Sequence, residues 1–277
     1  MSDLAVPIIR HPDPDKSRPV VVSIPHFGTE AIPDIRPEDY SVPEFVHLPW
    51  GYADTFAADV YGRAHDHGAT VVATPYSRLF VDVNRRRDDF ACDDGVVISA
   101  RGVFRTHTRR GKPIFAKPMA EARAEHILAA YYDPYHEGLG SVIEEMRNRH
   151  DRLLLLDSHT ASPDRIGKHE VVIGTRGGMT ADRTIVERIR DLVAAAGVDV
   201  HEDVPGYAGG HTVRRYGENR PPDVHAVQIE INAALLTTTP REELVPKMIR
   251  GERPGKHAEN IARMRRCVEA IVKETFG

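Results

Sequence analysis

Short apolar runs alternate with helical stripes along almost the whole chain, and this alternation restricts the possible folds more than any other feature of the sequence. PVVVSIP (19–25), ATVVATP (69–75), LFVDVN (79–84), LLLL (153–156), EVVIGT (170–175), VDVH (198–201) and HAVQIEIN (225–232) read as strands. Between them, Phe56, Val60 and Ala64 mark a helix over 52–67. Residues 119–150 read as a helix broken near Asp133-Pro134, because proline disfavours helix at the residue before it. Ile185, Val186, Ile189, Leu192, Val193 and Ala196 form one stripe of a helix over 180–196, closed by Gly197. Ile261, Met264, Val268 and Ile271 do the same over 258–275. Strands alternating with helices predict an α/β fold with a largely parallel sheet. Residues 1–18 read as an extended lead-in. No linker divides the remainder, so a single domain over 1–277 is expected. Residues 85–117, rich in Arg, Asp and Gly, are either disordered or a loop over a site. Residues 203–223 read as loop.

Charge and composition then narrow the function. The 277 residues carry 37 Lys+Arg against 41 Asp+Glu, a formal charge of −4, which argues against a general nucleic-acid binder. No apolar run approaches the ~18 residues of a membrane helix. The first residues hold charges and prolines where a signal peptide would be apolar. Cys92 and Cys267 cannot build a disulfide framework or a cysteine zinc site, so a reducing cytoplasm is the expected compartment. GxSxG, GxGxxG and Walker patterns are absent from the sequence.

The polar residues that could carry chemistry sit at or inside strands, and in open α/β sheets ligands bind beyond the carboxyl ends of strands. His26 follows the first run; it either presents an imidazole to a metal or bonds a nearby carbonyl. Asp157 and His159, two apart on an extended segment, point the same way. Asp157 would then fix the tautomer of a ligating His159, or else cap a helix. Gln228, Glu230 and Asn232 share one face of the last strand, and a carboxylate buried there needs a metal, a cation or a proton. Asp82 and Asn84 share a face of the 79–84 run, with Arg85 at its end; an Asn-Arg pair suits a substrate carboxylate, whereas Arg85–Asp89 could equally be a solvated charge run. Asp54 is either an N-cap or a carboxylate ligand. Gly209–Arg214 reads as a tight turn bringing His211 and Arg214 towards a cleft.

PHFG (25–28), YSRLFVDVNR (76–85), DSHT (157–160), GGHTVRRYG (209–217) and AVQIEIN (226–232), in that order, resemble the N-formylglutamate amidohydrolase family, over about residues 20–236. The resemblance implies a three-layer α/β/α, phosphorylase/hydrolase-like fold related to zinc carboxypeptidases. It implies a Zn²⁺ cofactor held by His26, His159 and a third ligand, for which Asp54 is nominated and Glu30 is the reserve. Where the carboxypeptidase pattern has a Glu three residues after the first His, this chain has Thr29. Glu230 would be the general base acting on zinc-bound water, and Arg78 or Arg214 would stabilise the oxyanion. Asn84 and Arg85 would hold the substrate carboxylate, with Gly210, His211, Thr212 and Arg214 completing the pocket. Phe27 and Thr55-Phe56 stand where the family usually has Ser and Trp-His. The implied substrate is a small N-acyl amino acid such as N-formylglutamate, with neither nucleic acid nor membrane as a partner. The alternatives are a related metallohydrolase acting on another N-acyl amino acid, peptide or ester, and a non-catalytic metal-binding or ligand-binding relative.

Overall fold

The computed structural model describes residues 6–99, 101–218 and 223–276. Seven strands form one sheet: β1 Ile8–Arg10, β2 Val20–Ile24, β3 Thr70–Ala73, β6 Leu153–Ala161, β7 Val171–Gly174, β8 Val200–Glu202 and β9 Val224–Asn232. The remaining two, β4 Ala91–Asp93 and β5 Val96–Ile98, make a separate hairpin inside the 85–117 stretch, whose described residues thus form an ordered excursion. The sheet order is β1-β3-β2-β6-β9-β7-β8. β3, β2, β6 and β9 run parallel, β7 is antiparallel to β9 and parallel to β8, and β1 is antiparallel to β3 on the edge.

Alternation along the central strands divides the core into two halves. Val20, Val22, Ile24, Leu154 and Leu156 pack with residues of the helices Ala57–Tyr61, Arg183–Ala195 and Ala258–Glu274. Val21, Leu153 and Leu155 pack on the other face with Tyr132, Tyr135, Leu139 and Val142 around the helix Asp133–Arg147. Both faces are covered, which is why β2 and β6 are buried at every position and why 20–22 and 153–156 read as apolar runs. The result is a three-layer α/β/α architecture with a mostly parallel sheet.

Several sequence expectations are corrected. Residues 79–84 form turns, not a strand. Leu79, Phe80, Val81 and Val83 are buried, but the backbone bonds locally, Phe80 N–H to Ser77 O (3.0 Å) and Arg85 N–H to Asp82 O (3.1 Å), and Asp82 Oδ1 accepts the Asn84 N–H (3.1 Å). The expected helix over 52–67 is broken into the end of a short helix, Leu48–Tyr52, a second, Ala57–Tyr61, and a 3-10 turn, Ala64–His67; extended Ala53 and left-handed Phe56 (φ 61°) separate the first two, where Asp54 N–H bonds His26 O at 2.8 Å. Pro134 does not break the 119–150 helix. A wide turn, Leu128–Tyr132, absorbs it by bonding Asp133 N–H to Leu128 O. The 203–223 loop contains a helix, His211–Gly217, and a further helix, Arg241–Ile249, carries Pro246 inside it.

Candidate metal centre

β2 is followed in sequence by β3 on one side and in space by β6 on the other, so the chain changes direction across the sheet between β2 and β6. A crevice opens at such a point beyond the carboxyl ends of the strands. His26 lies just past the end of β2, and His159 and Glu230 lie near the ends of β6 and β9, where the register pairs Asp157 with Gln228 and His159 with Glu230. Asp54 reaches the same point from the segment between the two short helices.

His26, Asp54 and His159 are buried, and one donor atom from each lies within 4.8 Å of the others. His159 Nδ1 is 2.9 Å from Asp54 Oδ2, and His26 Nδ1 is 3.9 Å from that same oxygen. The other imidazole nitrogen is backed by a carboxylate in each case: His26 Nε2 by Asp82 Oδ1 at 2.7 Å, His159 Nε2 by Asp157 Oδ2 at 3.0 Å. An Nε2–H given to the acid turns Nδ1 towards the shared point, the arrangement by which carboxylates orient ligating histidines. A cationic group already lies on that side, with Arg78 Nη1 2.8 Å from His26 Nδ1. Two imidazoles and one carboxylate are also the N/O donor set of catalytic zinc sites. These residues therefore fit a divalent metal. Asp54 supplies the acid; Glu30 is exposed and hydrogen-bonds through its backbone to Pro75.

Charge is strongly biased in this crevice. Burial, reinforced by Arg78, lowers the pKa of His26, which keeps it neutral and able to act as a ligand. Burial alone would raise Asp54, but Arg78 and the two histidines outweigh it and hold the carboxyl below its usual range. Asp82 is likewise depressed against its burial by His26, Arg78 and Arg105. His159 rises well above its usual value despite burial, because Asp157 and Glu230 surround it with negative charge. Burial, with Asp54 and Asp157 nearby, pushes Glu230 up to about 7. Its Oε1 accepts from Gln228 Nε2 at 2.9 Å.

The site opens into a cleft of about 670 Å³, lined by seven arginines against four acids. Arg78 lies against the donor cluster, giving its Nε–H to Tyr52 O (2.7 Å) and Nη2 to Asp54 Oδ1 (3.1 Å). Arg85 is half exposed on the cleft, its guanidinium 3.8 Å from Asp82. Arg214 lines the cleft and pairs with Glu218 at 3.0 Å. Gly210 and His211 also line it, and burial together with Arg215 and Arg214 lowers His211 to about 4. Thr212 is fully buried and not part of the lining; its N–H goes to Asn84 Oδ1 at 2.7 Å. Asn84 lines the cleft with Nδ2 donating to Asp157 Oδ2 (3.1 Å) and Oδ1 accepting from Thr212.

Several contributors escape sequence reasoning. Asp82 backs His26, and Arg105 in turn holds Asp82 Oδ2 at 3.2 Å. Ser23 gives its hydroxyl proton to Asp157 Oδ1 (3.2 Å) and meets the Tyr135 hydroxyl at 2.9 Å. The Thr160 N–H reaches Asp54 Oδ2 at 3.2 Å. All are long-range pairings; the one local hint is the parity that puts Ser23 on the face of β2 away from Val22.

The family model described as N-formylglutamate amidohydrolase matches residues 18–237, a span that holds every residue of this centre. A Pseudomonas putida N-formylglutamate deformylase is 30% identical over 225 residues, covering 77% of this chain and 79% of the relative. The deformylase of the same name from Pseudomonas aeruginosa is 28% identical, covering 77% and 80%. The crystal structure of an N-formylglutamate amidohydrolase from Ralstonia eutropha JMP134 superposes with a TM-score of 0.78, covering 98% of this chain and 96% of that one; at 21% identity this shows a shared fold. Among the described residues no helix is long and apolar enough to cross a membrane. With most of its length matched by the family model, this chain belongs to the N-formylglutamate amidohydrolase family and is a hydrolase acting on an amide.

Proposed function

We propose that the protein hydrolyses the N-acyl amide of a carboxylate-bearing amino acid, N-formylglutamate above all, with Zn²⁺ held by His26, Asp54 and His159. The observation that carries this reading is the register of β6 against β9, which sets Glu230 beside His159 at the mouth of the crevice. When bound, the zinc would lower the pKa of its water to about 7 and polarise the acyl oxygen. Glu230 Oε1 is occupied by Gln228, so Oε2 is the atom that takes the proton from the attacking water and later gives it to the leaving amine nitrogen. Arg78 is held in place by Tyr52 and Asp54, so its charge is fixed where the negative charge of the acyl oxygen develops. Arg85, its guanidinium half exposed and 3.8 Å from Asp82, binds the substrate carboxylate, and the other arginines attract anions to the cleft. Products are formate and the free amino acid.

The cleft volume falls in the range that encloses a drug-sized ligand. That room favours a second reading, in which a larger acyl group or a peptide is cleaved by the same chemistry. The test is elemental analysis of the purified protein, with amine release measured on N-formylglutamate, N-acetylglutamate, N-formylglutamine and N-formyl-leucine. Fastest release from N-formylglutamate, abolished by a chelator and restored by zinc, supports the first reading. A preference for longer acyl groups supports the second. Bound metal with no hydrolysis of any amide overturns both and leaves a binding protein.

A further inference from the structure

Asn84 lines the cleft, but its carboxamide is bonded to Asp157 and Thr212 rather than presented to the opening. Its carboxamide orientation is fixed by a group that can only donate: the Thr212 backbone N–H lies 2.7 Å from Oδ1. Nδ2 therefore faces β6, 3.1 Å from Asp157 Oδ2 and 3.0 Å from His159 Nε2. With Nδ1 of His159 turned to the metal point, Nε2 carries the proton given to Asp157, and Asn84 donates to that same carboxylate oxygen. The side chain is also pressed against the cleft wall. A Cβ on Gly210 would lie 2.7, 2.9 and 3.0 Å from its Nδ2, Oδ1 and Cγ. Gly210 has an ordinary extended backbone (φ −82°), so the Asn84 carboxamide, not the backbone, demands glycine there. The Gly210 N–H goes on to Gln228 Oε1 (2.6 Å), and Gln228 Nε2 to Glu230 Oε1 (2.9 Å).

His159, Asp157, Asn84, Gly210, Gln228 and Glu230 thus form a ring, closed by the strand pairing of His159 with Glu230. We infer that Asn84 is a positioning residue that couples the metal ligand His159 to the base Glu230 through the Gly210 wall, rather than a ligand of the substrate carboxylate. The inference rests on the metal site proposed above. Partners behind ligating histidines typically contribute 10–100-fold in metal affinity, and residues sharing one contact are non-additive.

The test measures zinc dissociation constants by chelator competition for the wild type, N84A, G210A and N84A/G210A, and kcat and KM on N-formylglutamate and a neutral N-formyl amino acid. N84A should weaken zinc by about 10–100-fold and lower kcat equally on both substrates. G210A should also weaken zinc, and the double variant should be no worse than N84A, since removing the carboxamide makes room for the Cβ. Unchanged zinc affinity in N84A, with KM raised only for the carboxylate substrate, overturns the inference and leaves the metal site standing. If N84A does not fold, G210A carries the test, and normal zinc affinity in G210A overturns it as well. A wild type that takes no zinc overturns both readings together.

Discussion

Gly28 is where the backbone that positions His26 meets the backbone that positions Arg78, so Gly28→Ala tests how the metal centre is held. The residue is buried and its backbone is not left-handed, so alanine meets no conformational penalty of its own. Its Cβ would nevertheless lie 2.5 Å from the Tyr76 carbonyl oxygen and closer still to the Pro75 carbonyl group. Ordinary contact begins near 3.4 Å, so the two segments must part by roughly 1 Å, and neither obstacle is a side chain that can swing away. Two hydrogen bonds zip these segments together, Glu30 N–H to Pro75 O (3.1 Å) and Ser77 N–H to Glu30 O (2.9 Å). Overpacking costs about 1–3 kcal/mol, and weakening the two bonds adds roughly 1 kcal/mol. G28A should therefore lose about 2–4 kcal/mol of stability. It should also bind zinc at least about tenfold more weakly, because His26 Nδ1 moves relative to Asp54. Urea unfolding of the metal-free protein reads the first effect as a lower midpoint at unchanged slope. Chelator competition reads the second. A variant with the wild-type midpoint and wild-type zinc affinity would refute the claim that this backbone contact sets the site.

Glu230→Gln keeps the shape and removes the proton acceptor; turnover should fall by about two orders of magnitude or more with the metal content unchanged, and near-normal turnover would remove Glu230 from the mechanism. Arg85→Ala should raise KM for N-formylglutamate while sparing neutral N-formyl amino acids, and an equal loss on both would exclude the clamp. Ser23→Ala orphans the buried Tyr135 hydroxyl and one oxygen of Asp157, so urea unfolding should show a loss of about 2–4 kcal/mol; a loss below about 1 kcal/mol would mean that water replaces the hydroxyl.

Much of this protein is legible in its sequence because the forces concerned are local. Strands covered on both faces are mostly apolar, so the VVV of 20–22 and the LLLL of 153–156 announce a buried sheet. Period-two alternation puts Asp157 with His159, and Gln228 with Glu230, on shared faces. The motifs around them identify the family. Tertiary structure decides the rest. The step of β6 against β9 that brings His159 beside Glu230 depends on the register of two strands more than sixty residues apart. The pairing of His26 with Asp82, 56 residues away, depends on a loop whose buried apolar residues look like a strand. Asn84 shows the limit most clearly. Beside Arg85 its chemistry suits a carboxylate, yet its Nδ2 donates to Asp157 and its Oδ1 accepts from Thr212. A side chain's chemical capacity is written in the sequence, but the partner that uses it is set by packing between distant segments.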